Sequence, residues 1–412
     1  MELSIETISI MLLISALVAM VARQARIPYT VGLVAAGIVF ALVPFAPKVE
    51  LTKELIFTIL LPPLIFEATL YIRWRELLLN LPVILVFAIF GVLLSAALTM
   101  FGMMIFAGWA LGSAALFGIL IAATDPVSVI ATFKEAGVHG RLRLLMEAES
   151  LFNDASAAVG FAIILILVNG NQLDFMQMLG MTLWTVLGGL LCGALVAGLI
   201  IRLTHRTSDH LIELSLSAVA AYGSFLLAEH FGVSGVLSTL TVGILIGNFG
   251  LPFSFSDKGR ASLMDFWEFA AFISNSLIFF LIGVREASEQ LIGALWPICI
   301  AILVVVLGRA AAIYPLSLLF GKSKLKIKTK HQHILFWGGL RGALALALSL
   351  GLPHSIPNRD QIITVTFGVV AFSIFVQGLT MMPLLRRLKV LPHHSEKMEG
   401  KVIAKEEVPP DH

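Results

Sequence analysis

Long apolar runs parted by short polar loops set the pattern of this chain. They lie near 4–22, 29–46, 52–70, 79–107, 111–135, 144–168, 176–202, 209–230, 232–250, 262–284, 291–320, 331–352 and 361–385. A helix crossing a bilayer takes roughly 20 residues, so each run is long enough to span. Strand alternation does not describe them. ICIAILVVVL at 298–307 and IILILV at 163–168 are continuously apolar, whereas β-barrel strands alternate over about ten residues. The pattern predicts an all-α polytopic membrane protein with about 13 transmembrane helices.

Composition agrees. The chain is 58% hydrophobic and 13% charged with a mean hydropathy of +0.96, outside the balance of soluble domains. With 412 residues so used, no large soluble domain is expected. The first run carries Glu2 and Glu6 where a signal peptide would be basic, so it is read as a retained first helix. Cys192 and Cys299 sit in apolar runs and read as small buried hydrophobes, with no disulfide framework and no metal site.

Charge placement predicts orientation. Of the 28 Lys and Arg, all but six fall in loops after odd-numbered runs or in the tail, including the cluster Lys322, Lys324, Lys326, Lys328 and Lys330. The opposite side has only Lys48, Lys53, Arg285 and Arg359, and Arg309 and Arg341 lie within apolar runs. Lys and Arg accumulate in cytoplasmic loops, so the N-terminus is expected outside and the C-terminus inside. The lysine cluster reads as a topology determinant rather than a nucleic-acid patch. The tail 391–412, polar, mixed in charge and with two prolines near its end, is expected to be disordered.

Against this background the intramembrane acids need a reason. Each charged group at the bilayer centre costs at least about 2.5–3.5 kcal/mol. Asp125, Glu149 and Asp154 interrupt residues 121–161, and Glu67 lies behind Pro62 and Pro63 in LLPPLIFEATL. Glu149, Ser150, Asn153 and Asp154 form one stripe of a helix, extended by Glu147. About ten residues at 1.5 Å each put Asp154 roughly 15 Å deep, near the midplane and level with Asp125. Glu67 is expected at a similar level.

Two helices should break there. Pro126 removes an amide and frees a carbonyl four residues back, and Trp337-Gly338-Gly339-Leu340-Arg341-Gly342 interrupts the twelfth run. Irregular backbone at this depth lines a cavity or is buried in protein, and interrupted helices in both halves of a chain point to a secondary transporter's binding site. Carboxylates with Thr, Ser and backbone oxygens suit hard cations, and no thiolate or mid-run His is offered to a transition metal. A carboxylate that takes either an alkali cation or a proton is an exchange device in itself.

ATDPV at 123–127, ESLFND at 149–154, LLPPLIFEA at 60–68 and GGLRGA at 338–343 resemble the motifs of the cation:proton antiporter-1 group, the bacterial and archaeal NhaP type related to animal NHE exchangers. The resemblance covers about residues 5–390, with the motifs in the family's order. It implies the NhaA/NhaP-like antiporter fold with inverted repeats and two broken, crossing helices. A transmembrane domain of 1–390 would comprise a contact part, about 1–75 and 176–284, and a mobile core, about 79–168 and 291–388. It also implies a homodimer in a prokaryotic inner membrane, and a role in pH homeostasis.

Carried onto this sequence, Asp154 would bind the cation and the proton, with Ser150, Thr124 and Glu67 as Na+ co-ligands. Asp125 would act through water or by fixing the break, beside Pro126, Gly338, Gly339 and Arg341. Asn153 stands where electrogenic relatives have a second aspartate, which implies electroneutral exchange. Glu149 and Arg309 would form a structural ion pair. The cargo would be Na+ or Li+, and K+/H+ exchange and a proton-coupled carrier of another small solute stay open as alternatives. No cofactor, nucleic acid or enzymatic reaction is expected. The Gly-x-Gly-Asp pattern of intramembrane aspartyl proteases is absent, as is a nucleotide-binding loop. Asn275 and Ser276 read as packing residues. All ten histidines lie in loops, at run ends or in the tail; His139, His205 and His210 read as ordinary interfacial groups.

Overall fold

A computed structural model describes residues 5–25, 27–43, 52–170, 174–288 and 291–391. The tail beyond Leu391 lies outside the described residues, as do Glu2, Arg26, Lys48, Lys397, Lys401 and Lys405. Among the described residues all regular structure is helical. Nothing else satisfies every backbone N–H and C=O inside an apolar segment unless the chain closes into a barrel.

In chain order the helices are α1 (Ile5–Ala25), α2 (Tyr29–Ala41), α3 (Leu55–Leu70), α4 (Trp74–Ala107), α5 (Leu111–Ala122), α6 (Val127–Ala136), α7 (Arg141–Val168) and α8 (Phe175–Thr204). They continue with α9 (His210–His230), α10 (Gly235–Gly250), α11 (Asp257–Ser288), α12 (Leu295–Leu319), α13 (Thr329–Trp337), α14 (Ala343–Leu350) and α15 (Arg359–Arg387). The fifth and twelfth apolar runs are the split ones, α5–α6 and α13–α14. Several helices outrun their apolar stretch by a polar first turn. At the start of α8, the Gln177 amide donates to the Asp174 carboxylate at 2.7 Å, and the Asp174 amide donates to the Gln177 side chain at 3.0 Å. This reciprocal box satisfies amides that no helix can satisfy alone.

The helices α1–α3 and α8–α11 pack on one another, and so do α4–α7 with α12–α15. Small residues permit the closest approaches, as between membrane helices generally. Gly37 of α2 and Gly283 of α11 face each other, and a Cβ on either would run into the partner's backbone. Between α4 and α12 the same role falls to Gly102 against Val304 and Gly308 against Ser95. The most enclosed spans are α5–α6 and α15, and the least is α8. On α8, leucines from Leu179 to Leu203 recur every fourth residue and are all exposed on the outer face.

The cysteines correct one expectation. Cys192 is half-buried and Cys299 is exposed, and both are free thiols. In a bilayer an apolar run does not imply burial in protein, because the lipid tails are as apolar as the core.

Loop ends that carry the basic residues share one side of the bundle. The Arg141 guanidinium donates to the carbonyls of Leu325 and Lys326 at 2.6 and 2.9 Å and to the Asn80 side chain at 2.7 Å. It thereby ties the start of α7 to the loop before α13 and the first turns of α4.

Replacing Gly283 by Val or Leu should separate α2 from α11. The expected outcome is a loss of at least about 1–3 kcal/mol, read as a lowered melting midpoint in detergent. A similar change at Gly198, whose Cβ position meets nothing within 4 Å, should leave the midpoint in place.

Candidate functional site

Two chain breaks meet in mid-bundle, and several of the freed backbone groups there find partners in side chains or in the other break. Pro126 has no amide to give to Ala122, and the Val127 amide turns to the Asp125 carboxylate at 2.9 Å instead of to Ala123. The carbonyls so released, Ala122 and Ala123, accept from the Arg341 guanidinium at 3.3 and 3.2 Å. On the other strand of the crossing, Leu335 near the end of α13 accepts from Arg309 at 3.0 Å. The breaks also touch directly, since the Asp125 amide donates to the Leu340 carbonyl at 2.8 Å.

Asp125 stands at the start of two helices at once, because its carboxylate also lies beside the Ala343 amide at the start of α14. Gly342 is needed here, as a Cβ would occupy the space of that carboxylate. Gly339 likewise leaves room for the Arg309 side chain, and Gly338 closes α13 by donating to Ile334 at 2.8 Å. Each helix end carries about half a unit charge, positive at the N-terminus and negative at the C-terminus. Two N-termini face Asp125, two C-termini face Arg341 and Arg309, and Glu149 is paired with Arg309, so the crossing is close to neutral.

Behind the break, a polar chain runs through α7. Arg309 grips Glu149 with two bonds, Nη1 to Oε1 at 2.7 Å and Nη2 to Oε2 at 2.8 Å, and both side chains are buried. The Asn153 amide donates to Glu149 at 3.1 Å and to the Thr124 hydroxyl at 2.7 Å, and its oxygen accepts from the Thr124 amide at 3.2 Å. The hydroxyls of Thr124 and Ser150 lie 2.8 Å apart.

Asp154, one residue beyond Asn153, is different. Its carboxylate faces a cavity of about 1050 Å³ and makes no hydrogen bond or ion pair among the described residues. The wall of this cavity holds Asp125, Thr124 and Pro126 from the break, Glu67 from α3 and Tyr71 just after it, and Glu268 and Asn275 from α11. It extends to Lys134, Arg143, Arg386 and Leu391, at the end of the bundle that carries the basic loops. Toward the other end the way is barred by a packed apolar layer. Ile56 and Leu60 of α3, Phe280 of α11, Leu346 of α14 and Phe367 of α15 are all buried there.

Not every residue singled out in the sequence reaches the cavity. Ser150 and Asn153 are buried behind the wall, with Thr124 as the group they hold forward. Glu67 does line the cavity, but less than a turn from the end of α3, where its charged neighbours are Lys134, Glu147, Glu268 and Arg143. The charged neighbours of Asp154 are Asp125 and Glu149. Glu67 thus stands nearer the mouth than the level expected for it. Among the described residues no three His, Cys, Asp or Glu side chains form a metal cluster.

The sequence reading passed over Glu268 and Asn275. Glu268 pairs with Lys134 across the cavity at 3.7 Å, and its position inside the tenth apolar run was the available signal. Asn275, read as packing, lies on the wall.

Interrupted helices that cross beside a carboxylate-lined cavity define a secondary transporter fold. The transmembrane sodium/hydrogen exchanger family matches residues 10–387. The Na(+)/H(+) antiporter ApNhaP of Aphanothece halophytica is 40% identical over 381 residues, spanning 90% of this chain and 72% of the relative. The antiporter NhaH of Halobacillus aidingensis is 33% identical, spanning 92% of this chain and 97% of its own. In fold, the sodium proton antiporter MjNhaP1 of Methanocaldococcus jannaschii superposes with a TM-score of 0.74 at 19% identity, over 91% of this chain and 98% of that one. The chain belongs to the sodium/hydrogen exchanger family.

Two substitution sets test this geometry. Asp125→Ala should lose both helix caps, at about 0.5–2 kcal/mol each, while Asp125→Asn keeps an acceptor and should fall between Ala and wild type in melting midpoint. Glu149→Leu or Arg309→Met alone should cost about 3–5 kcal/mol by stranding a buried charge, and the double variant should melt above either single one.

Proposed function

We propose that this protein exchanges Na+ or Li+ for H+ across the membrane by alternating access, with cation and proton competing for Asp154. The observation that carries this reading is the contrast at the site. Glu149 is neutralised by Arg309, Asn153 and Ser150 are engaged, and Asp125 is a cap, while the Asp154 carboxylate is left for a mobile ligand. Thr124, and Asp125 through water, complete the cation's oxygen shell, and Glu67 is an earlier stop on the way in. Five carboxylates against three cationic side chains line the cavity, which supports attraction of cations into it.

One titratable group exchanging one proton for one monovalent cation leaves the loaded carrier with the same charge both ways, so exchange is electroneutral. The amide of Asn153 has no proton to offer as a second charge. The basic side is cytoplasmic by the positive-inside rule, which makes this an inward-open form with the N-terminus outside. The apolar layer between α3, α11, α14 and α15 is then the outer gate. It opens when α4–α7 and α12–α15 move as a core against α1–α3 and α8–α11. A homodimer in the plasma membrane is part of this reading, and the exposed leucine face of α8 offers the second copy a surface. The protein transforms no substrate and needs no cofactor.

Purified protein in proteoliposomes with an imposed pH gradient tests the proposal. Sodium or lithium should collapse the gradient, choline should not, and clamping the voltage at zero should leave the rate unchanged. Asp154→Asn should fall to the level of empty liposomes. Lowering the pH should raise the apparent cation KM by up to about tenfold per pH unit where the protonated form prevails, as mass action between two ligands requires. If no alkali cation moves protons, or Asp154→Asn retains full exchange, the reading fails and a proton-coupled carrier of a larger solute takes its place. Collapse by potassium alone would make it a K+/H+ exchanger.

A further inference from the structure

A second cavity lies behind the crossing, between α12, the break before α14, and α15. Its volume is about 10 Å³, and Arg309, Gly339, Arg341, Ser373 and Gln377 line it together with apolar side chains. Arg309, Arg341 and Gln377 are 6%, 2% and 6% exposed. Arg309 spends both terminal nitrogens on Glu149 and Leu335, and Arg341 spends its Nη1 on Ala122 and Ala123. In each, the Nε is buried and left over. Arg309 Nε and Arg341 Nε are buried donors without a protein partner. The Gln377 carboxamide makes no protein hydrogen bond among the described residues either. A buried donor left unpaired costs about 1–3 kcal/mol, and more when it belongs to a charged group.

We propose that this cavity is a binding site for one ordered water, which accepts from Arg309 Nε and Arg341 Nε and donates to the Gln377 side chain. Size selects the ligand. A cavity holds a water from about 10–15 Å³ upward when two to four polar partners are present, and this one stands at that threshold with three. A halide needs more room. A cation is refused by two positively charged donors. The water joins the two arginines that close the C-terminal ends of α5 and α13 to the turn of wider π-helix in α15, Ser373–Gly378. Ser373 already holds the backbone of Arg341 there, accepting from its amide and donating to its carbonyl at 3.1 Å each. The crossing is therefore clamped from behind by α15, through one hydroxyl and one water. The site stands on this geometry alone and does not rest on the exchange reading.

The test is a structure of the full-length protein at a resolution where enclosed waters are visible. One peak within about 2.7–3.2 Å of both Nε atoms is the expected result. An unfilled site beside other well-defined enclosed waters overturns the proposal, and so does an anomalous signal at the peak after chloride is exchanged for bromide. Gln377→Leu removes the third partner, and Gln377→Glu keeps an acceptor of the same length for the water. The first should lower the melting midpoint and the turnover while leaving the cation KM unchanged, and the second should recover the midpoint. A Gln377→Leu protein with wild-type midpoint and turnover, or one whose loss lies wholly in KM, would show that no water couples α15 to the arginines.

Discussion

Two helices that stop and restart inside a bilayer leave backbone groups where no water can reach them, and the rest of this structure is arranged around that constraint. Each unsatisfied group costs several kcal/mol in hydrocarbon. The solution is economical in residues. Asp125 serves two N-termini, Arg341 serves the carbonyls that Pro126 and the turned Val127 amide release, and Arg309 serves the end of α13. Because like ends of the half-helices face each other, about half a unit charge from each end sums to what one carboxylate or one guanidinium offsets.

The same arrangement decides which acid is free. Glu149 is bound to Arg309, and Asp125 is committed to amides on both sides. Asn153 spans Glu149 and Thr124 and so fixes the wall from behind. What remains is Asp154, half-buried on the cavity surface. This carboxylate is left without a protein partner among the described residues because its neighbours are bound to one another. The Arg309–Glu149 pair is costly to bury, and it leaves Glu149 with no free oxygen facing the cavity.

Packing sets the path to this group. Glycines at the α2–α11 and α4–α12 contacts let helices meet backbone to backbone, which closes both sides of the molecule except along the seam between the two helix groups. The cavity lies in that seam. Its deep end meets a layer of large apolar side chains, and its mouth carries Glu67, Lys134, Glu147 and Glu268. Charged side chains thus gather at one end of the cavity and large apolar ones at the other.

Much of this was legible in the chain. Continuous apolar runs fixed the helical nature of the elements, because a helix is the one open element that satisfies its own backbone in lipid. Pro126 and the glycines of 338–342 marked the breaks for the same reason, and the cost of a buried charge marked Asp125, Glu149, Arg309 and Arg341 as residues with partners and Asp154 as a residue to be accounted for. Only the tertiary structure decided who those partners are. Offsets along one helix could not say that Arg341 reaches back 219 positions to Ala122, that Ser150 and Asn153 stand behind the wall, or that Glu67 sits toward the mouth. The exposure of Cys299 was hidden too, since an apolar residue reads alike whether it faces lipid or protein. Sequence records the periodicity and the price of each residue's surroundings, whereas contacts across helices depend on how those helices are stacked.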